Sequence, residues 1–355
     1  GLILHPVYLR HYPQRETAAH IIGYVRSKGR LPTGPINIGD PVFEDTYGDA
    51  GLEKMFDEQL TGTPGEKKMI YSEDGKLLLD EVRERPRVGN SVVTTLDLKW
   101  QKHAEDVLAD YCKRGAMVVI DIPTGDVLVL ASRPSYDINA WSPRISDDAY
   151  AELRDDPSKP MYARASQGVY PPASTFKPVV ALTALSNNVV EEWTTINCPT
   201  KIKIGDTWFH NHSKFADGSI DVEKALARSN NCWFYQVGIM TGPTSFLSVA
   251  RRLGFGSVTG LPLHGESAGR VPTNEWVRKR LGRGFTDGDT ANFSIGQAWE
   301  ATPLQVAQMM AGIANGTVLP RLRLIKQIQD PTGGVISAPG PEARNPLHLD
   351  PDAVK

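Results

Sequence analysis

Tyr170-Pro171-Pro172-Ala173-Ser174-Thr175-Phe176-Lys177-Pro178-Val179-Val180-Ala181-Leu182 is the stretch from which the rest of the chain is read. Its prolines at 171 and 172 force an extended approach. Ser174 then stands where a helix begins, and Pro178 fits the first turn, whose N–H groups have no intrahelical partner in any case. Lys177 follows Ser174 by three residues, so the two side chains share one face, a turn apart. A serine hydroxyl is a poor nucleophile until a base takes its proton. A lysine can serve if burial or a nearby cation lowers its pKa. The helix N-terminus adds a positive dipole end near a developing oxyanion. Taken alone, Ser-x-x-Lys also reads as an ordinary helix start, with a Ser N-cap and a solvated lysine.

Fifty-five residues after Ser174 comes Ser229-Asn230-Asn231, within Ala227-Arg228-Ser229-Asn230-Asn231-Cys232-Trp233-Phe234-Tyr235. Ser229 would supply a hydroxyl to shuttle a proton. The Asn231 amide would fix Lys177 and a substrate amide. The bland reading is a polar turn or a helix cap. Upstream, Asn90 to Leu96 alternates as a strand. Residues 97 to 112 read as a helix, with Asp97 as N-cap and Trp100, Ala104, Val107, Leu108 and Tyr111 at helical spacing. Next comes a hairpin: Ala116 to Ile122, a turn at Pro123-Thr124-Gly125-Asp126, then Val127 to Ala131. Two adjacent, mostly apolar strands predict sheet covered on both faces. Helices are predicted at 174 to 187, 221 to 240, 245 to 253 and 303 to 315. The class is α+β, an antiparallel sheet flanked by helices. A change of character near residues 96 to 115 marks a domain boundary.

The 355 residues suggest about two domains. A net charge of −2 argues against a nucleic-acid partner. No apolar run approaches the ~18 residues that span a bilayer, and residues 1 to 15 lack the apolar core of a signal peptide. Gly1 in place of Met predicts a chain cut from something longer, with an anchor upstream left open. Cys112, Cys198 and Cys232 are too few, and odd in number, for a disulfide framework. Strong zinc spacings are absent. The weaker cluster Cys198, Asp206, His210, His212 and Cys232 reads either as a metal site or, more simply, as a buried Cys pair with two loop histidines. Residues 29 to 51 read as loop, and Asp80 to Arg85 as a solvated strand face. Gly282-Arg283-Gly284 fits no phosphate motif and reads as a loop near the mouth of the site. His5, His11 and His20 read as structural.

The pairing of Ser174-x-x-Lys177 with Ser229-x-Asn231 resembles the active-site serine set of penicillin-binding proteins and class A β-lactamases. The resemblance extends along nearly the whole chain and is to class B penicillin-binding proteins. Residues 1 to 96 are similar to the family's non-catalytic, dimerisation-type pedestal domain. The matching stretches there are Arg10-His11-Tyr12-Pro13, Ala18-Ala19-His20-Ile21-Ile22-Gly23-Tyr24, Gly51-Leu52-Glu53 and Leu60-Thr61-Gly62-Thr63-Pro64-Gly65. Residues 97 to 355 resemble the transpeptidase domain, on Thr94-Thr95-Leu96-Asp97, Gln101, Gly115 to Ser132, Gly288-Asp289-Thr290, Ser294-Ile295-Gly296-Gln297, Thr302-Pro303-Leu304-Gln305 and Ile313-Ala314-Asn315-Gly316. Tyr170-Pro171-Pro172 and Phe234-Tyr235 are more similar to the elongation type than to the division type.

Three departures stand out. Ala173 replaces the glycine usual before the nucleophile. Ala298 replaces the glycine usual after Ile-Gly-Gln. The Lys-Thr-Gly strand, the family's third motif, does not occur. Lys355 is 181 residues after Ser174, short of the point where that strand is expected, so a truncated or cleaved chain is predicted. Gln329 to Pro341 reads as a Pro/Gly-rich excursion before that end.

The resemblance implies a peptidoglycan D,D-transpeptidase with Ser174 as nucleophile, Lys177 as base, Ser229 as proton relay and Asn231 as substrate ligand. It implies no metal or organic cofactor. Stem peptides and β-lactams would be its ligands, and a membrane glycosyltransferase and elongation-complex proteins its partners. The native protein would be anchored in the inner membrane and face the periplasm. The rival expectations are a β-lactam-hydrolysing or sensing protein, which shares Ser-x-x-Lys, and a degenerate scaffold, which the missing motif would suit.

Overall fold

The computed structural model describes residues 9–28, 46–142 and 144–354. The predicted loop at 29 to 51 therefore falls mostly outside the described residues, as do Gly1, His5 and Lys355.

The hairpin is where the sequence predicts it. Strand Gly115–Ile120 pairs antiparallel with Val127–Arg133. On one face lies helix Leu98–Tyr111, which packs Ala104 and Leu108 onto Val129 and Ala131. On the other, Ala116, Val118, Val127 and Leu130 meet Leu304 of helix Pro303–Asn315. Asp97 caps the first of these helices, accepting the Lys99 and Trp100 N–H groups at 2.9 and 3.0 Å. Its buried stripe is narrower than the apolar periodicity suggests. Trp100 and Tyr111 are exposed, and Gln101 is buried in their stead. A glutamine is tolerated there because both ends of its amide are satisfied. Its Oε1 accepts the Leu130 N–H at 2.9 Å and its Nε2 donates to Glu105 at 2.7 Å.

The first hundred residues interlock with the later chain. Tyr12 and Ala19 pack with Tyr136, Ile138 and Trp141. Ala18, Ile21 and Leu52 share a core with Val127, Leu130 and Leu304. Strand Ser91–Thr94 pairs with Ile325–Gln329 from late in the chain. Thr95, buried, donates its hydroxyl to Val127 O at 2.8 Å and Arg323 O at 3.1 Å. Among the described residues, the hairpin of Glu66–Tyr71 with Leu77–Glu84 stands apart, exposed along almost its whole length. Within it, Lys67 and Asp80 pair at 2.8 Å, as a solvated face allows.

Helices Lys177–Ser186, Asn231–Thr241, Pro243–Arg252 and Asp287–Ser294 surround the largest core, with Phe176, Trp233, Phe234, Phe246 and Trp299 inside it. Two expectations are corrected. The helix predicted over 221 to 240 is two helices, Val222–Ala227 and Asn231–Thr241, because the chain breaks at 228 to 230 around the second motif. The Gln329 to Pro341 excursion contains strand Val335–Ser337, which folds back on Ile325–Gln329 through a turn at Asp330 to Gly334. All strand pairs among the described residues are antiparallel. No helix among them is long and apolar enough to cross a membrane.

Candidate active site

Ser174 lies in a 3-10 turn, Ala173–Phe176, that runs directly into helix Lys177–Ser186, with Pro178 in the first turn as predicted. The extended approach is fixed by a neighbouring strap. Tyr170 and Ala301 exchange backbone hydrogen bonds of 2.9 Å, and the Ala173 N–H donates to Gly296 O at 3.2 Å. Gly296 has to be glycine, since a Cβ there would come within 2.2 Å of Ala173 O and 2.6 Å of Ala173 N. Thus the Ser294-Ile295-Gly296-Gln297 motif presses backbone against backbone at the nucleophile's turn. Beneath it, Phe176 is fully buried against Trp299, ring centroids 4.2 Å apart, and Phe255, 5.8 Å. The Trp299 ring N–H donates to Phe293 O at 3.1 Å. A packed aromatic floor therefore holds a solvent-exposed serine.

Lys177 is only 1 % exposed. Its Nζ donates to Ser229 O at 2.6 Å, Ser229 Oγ at 3.0 Å and Asn231 Oδ1 at 2.7 Å. The Phe234 ring centroid is 5.3 Å away. Desolvation lowers the lysine pKa to about 8, because burial disfavours the charged form. The three oxygens all belong to the second motif, so the sequence's pairing of Lys177 with Ser229 and Asn231 is met in space. Ser174 is not among the acceptors in this structure. A neutral Lys177 keeps two donors for this cradle and frees a lone pair to receive a proton.

The cradle depends on the helix break. Ser229 takes a left-handed φ of 50°, a conformation that costs a non-glycine residue about 1–2 kcal/mol. This conformation accompanies the bond from its carbonyl to Lys177. Asn230, completely buried, caps the next helix by accepting the Trp233 N–H at 2.9 Å. Its Nδ2 donates to Asp217 Oδ2 at 2.7 Å, and Asp217 Oδ1 accepts from Arg228 at 2.6 Å. Those bonds hold the Asp217 carboxyl below the usual carboxylate range. Nothing local in the sequence marks Asp217 for this role. It depends on the segment just before strand Gly218–Ile220 folding beside the motif.

The weaker five-residue cluster does not gather. Cys198 and Cys232 are both fully buried, and burial pushes their thiols up to about 12 and about 11. Asp206 sits in the turn between strands Lys201–Ile204 and Thr207–His210, and His210 ends the second of these. His212 lies near Asp217 instead. Among the described residues, no three His, Cys, Asp or Glu side chains come together as a metal site. His20 is structural: its Nε2 donates to Pro160 O at 2.7 Å, and burial lowers its pKa to about 4. Gly282, at φ 69°, ends helix Asn274–Leu281, and Arg283 turns back to pair with Asp289.

Comparison with known proteins shows the family. Residues 115–354 match the penicillin binding protein transpeptidase domain, and residues 1–94 the penicillin-binding protein dimerisation domain. The peptidoglycan D,D-transpeptidase MrdA of Haemophilus influenzae is 35% identical over 337 residues, 93% of this chain and 51% of that protein. The chain thus spans about half the length of the curated relatives it matches. The crystal structure of Pseudomonas aeruginosa PBP2 in complex with WCK 5153 matches with a TM-score of 0.78 at 34% identity, over 99% of this chain and 74% of that one. PBP2 of Helicobacter pylori, in a complex with MreC, matches with a TM-score of 0.76 at 32% identity, over 91% of this chain and 61% of that one. With both domain models matched in order and PBP2 structures among its neighbours, this chain belongs to the penicillin-binding protein transpeptidase family, on the class B, PBP2-like side of it.

Proposed function

We propose that this chain carries the acylation site of a peptidoglycan D,D-transpeptidase of the elongation type. The carrying observation is the buried Lys177 Nζ, bonded to both Ser229 oxygens and to Asn231 Oδ1, one turn after Ser174. In this reading Lys177, neutral, takes the proton of Ser174 Oγ as that oxygen attacks the penultimate D-Ala carbonyl of a stem peptide. The oxyanion rests on the Ser174 N–H, at the unpaired start of the helix, and, as the family resemblance implies, on a second N–H from the third-motif strand, which is not among these 355 residues. Collapse of the tetrahedral intermediate breaks the D-Ala-D-Ala bond. Ser229 relays a proton to the departing amine, and Asn231 holds the substrate amide. A side-chain amine of a neighbouring stem peptide then attacks the ester, restoring Ser174 and forming the cross-link. β-Lactams would trap Ser174, because their strained amide imitates the bond that is cut.

Residues 1 to 96 serve in this reading as the pedestal, ahead of a catalytic domain beginning at 97. The protein would sit on the inner membrane, facing the periplasm, beside a membrane glycosyltransferase and other elongation-complex proteins. The MreC complex of the Helicobacter pylori relative supports partners of this kind.

Mass spectrometry of the protein incubated with fluorescent penicillin tests the reading. Expected is one adduct, on the peptide containing Ser174, that is absent in Ser174→Ala. An adduct that survives in Ser174→Ala would overturn it. So would the absence of any adduct on protein expressed from its complete gene.

A further inference from the structure

Asn231 opens helix Asn231–Thr241, where the first N–H groups have no intrahelical acceptor. The N-cap oxygen of Asn230 is used on Trp233. The Asn231 N–H is taken instead by Asn211 Oδ1 at 2.9 Å, from twenty residues earlier. Asn211 is only 8 % exposed. Its own backbone N–H donates to Thr200 O at 2.8 Å, which ties it to the strands on that side. Its Nδ2 is buried without an acceptor. An orphaned buried amide N–H is costly, so the Nδ2 does not explain why an asparagine sits here. The observed contribution of this side chain is therefore its oxygen, and that oxygen meets one group, the backbone of Asn231.

We propose that Asn211 is a positioning residue of this site: it fixes the backbone of Asn231 so that the Asn231 carboxamide oxygen and both Ser229 oxygens converge on Lys177 Nζ. Its consequence for acylation rests on the function proposed above. Its consequence for Lys177 rests on geometry alone. Without the Asn211 oxygen the first turn of the helix is free to shift, and Lys177 loses an acceptor that favours its charged form. Ionisable groups on the surrounding elements are Cys198, Lys201, Lys203, Asp206, His210, His212, Asp217 with its partner Arg228, Asp221, Glu223, Lys224, Cys232 and Tyr235. The lowering of the Lys177 pKa comes from its burial.

Two variants separate the oxygen from the shape. Asn211→Leu keeps the volume and removes the acceptor. Asn211→Asp keeps an acceptor oxygen in the same place. The first readout is the Lys177 titration by NMR in lysine-Cε-labelled protein, its resonance assigned by loss in Lys177→Arg. Asn211→Leu should move the titration down by half a pH unit or more, and Asn211→Asp should not move it down. The second readout is the rate of penicillin acylation on its plateau above about pH 8, where Lys177 is already neutral and a lowered pKa cannot raise the rate. It should fall at least tenfold in Asn211→Leu and stay within threefold in Asn211→Asp. If Asn211→Leu does not fold, Asn211→Ala takes its place in both measurements. An unmoved Lys177 titration in a folded variant lacking the oxygen overturns the proposal. So does an equal loss of rate in both variants, tracking their melting temperatures. A wild-type protein that takes no penicillin sinks the transpeptidase reading, and the NMR titration still decides the role of Asn211.

Discussion

Ala298 is exposed and lies at φ 64°, and Ala173 has φ 50°. These are the two positions at which the family resemblance leads one to expect glycine. The departures are legible in the sequence; their strain is visible only in the backbone. Left-handed φ costs an alanine about 1–2 kcal/mol, partly offset by the freedom a glycine gains on unfolding. Ala298→Gly loses no buried contact, so it should stabilise the protein by about 0.5–1 kcal/mol in urea denaturation; a loss of stability would mean that this φ is not strained. Lys177 is the other residue whose chemistry exceeds its motif. Spacing paired it with Ser174, but only its burial makes it a base at moderate pH. Below about 8 it holds a proton and cannot take one from Ser174. Penicillin acylation should therefore rise with pH and level off above about 8, and Lys177→Arg should abolish it, since guanidinium does not deprotonate. A rate flat across that pH range would exclude Lys177 as the base.

At the scale of elements, hairpins and caps were readable because their signals are local. Asp97, the turn at 123 to 126 and Pro178 each act within a few residues of their own position. The break at 228 to 230 was only half readable: Ser229-Asn230-Asn231 allows a polar turn or a helix cap, yet Ala227 to Tyr235 contains neither glycine nor proline. It is held locally by the Asn230 cap on Trp233 and, from outside, by Asp217 on Asn230 and Arg228. Trp100 and Tyr111 misled for a related reason. Helical spacing marks a stripe, while the two-stranded sheet beneath decides how wide a stripe is covered. Asn230→Ala tests the break. It removes a helix cap, worth about 1 kcal/mol, and takes a hydrogen-bond donor from the partly buried Asp217 carboxylate. A destabilisation of about 2–3 kcal/mol is expected. Acylation should fall more steeply than stability, because the Ser229 carbonyl loses its fixed direction. If acylation survives intact in the folded variant, the break is not what aims the second motif at Lys177.

For the whole molecule, the sequence suggested two domains meeting near residue 96, and composition does change there. The side chains do not respect that border. Ile21 and Leu52 are 1 % and 5 % exposed in a core shared with Val127, Leu130 and Leu304. Burying two such side chains contributes about 3–6 kcal/mol, a large part of a typical net stability of about 5–15 kcal/mol. Strand Ser91–Thr94 adds its ladder to Ile325–Gln329, and Thr95 bridges two segments of the later chain. The exposed hairpin of Glu66–Tyr71 and Leu77–Glu84 contributes nothing comparable to this shared core. Two deletions should therefore behave oppositely. Replacing residues 66 to 84 with a short Gly/Ser linker should leave the thermal midpoint within about 2 °C, since a change under ~0.5 kcal/mol moves a chain of this size no further. Removing residues 1 to 96 should lower it by about 10 °C or more, or leave the remainder unfolded, because the cost is several kcal/mol at about 2–4 °C each. Calorimetry of the two forms separates the cases: a remainder that melts with the intact protein would mean that the interlocked segment rides on the catalytic core without supporting it.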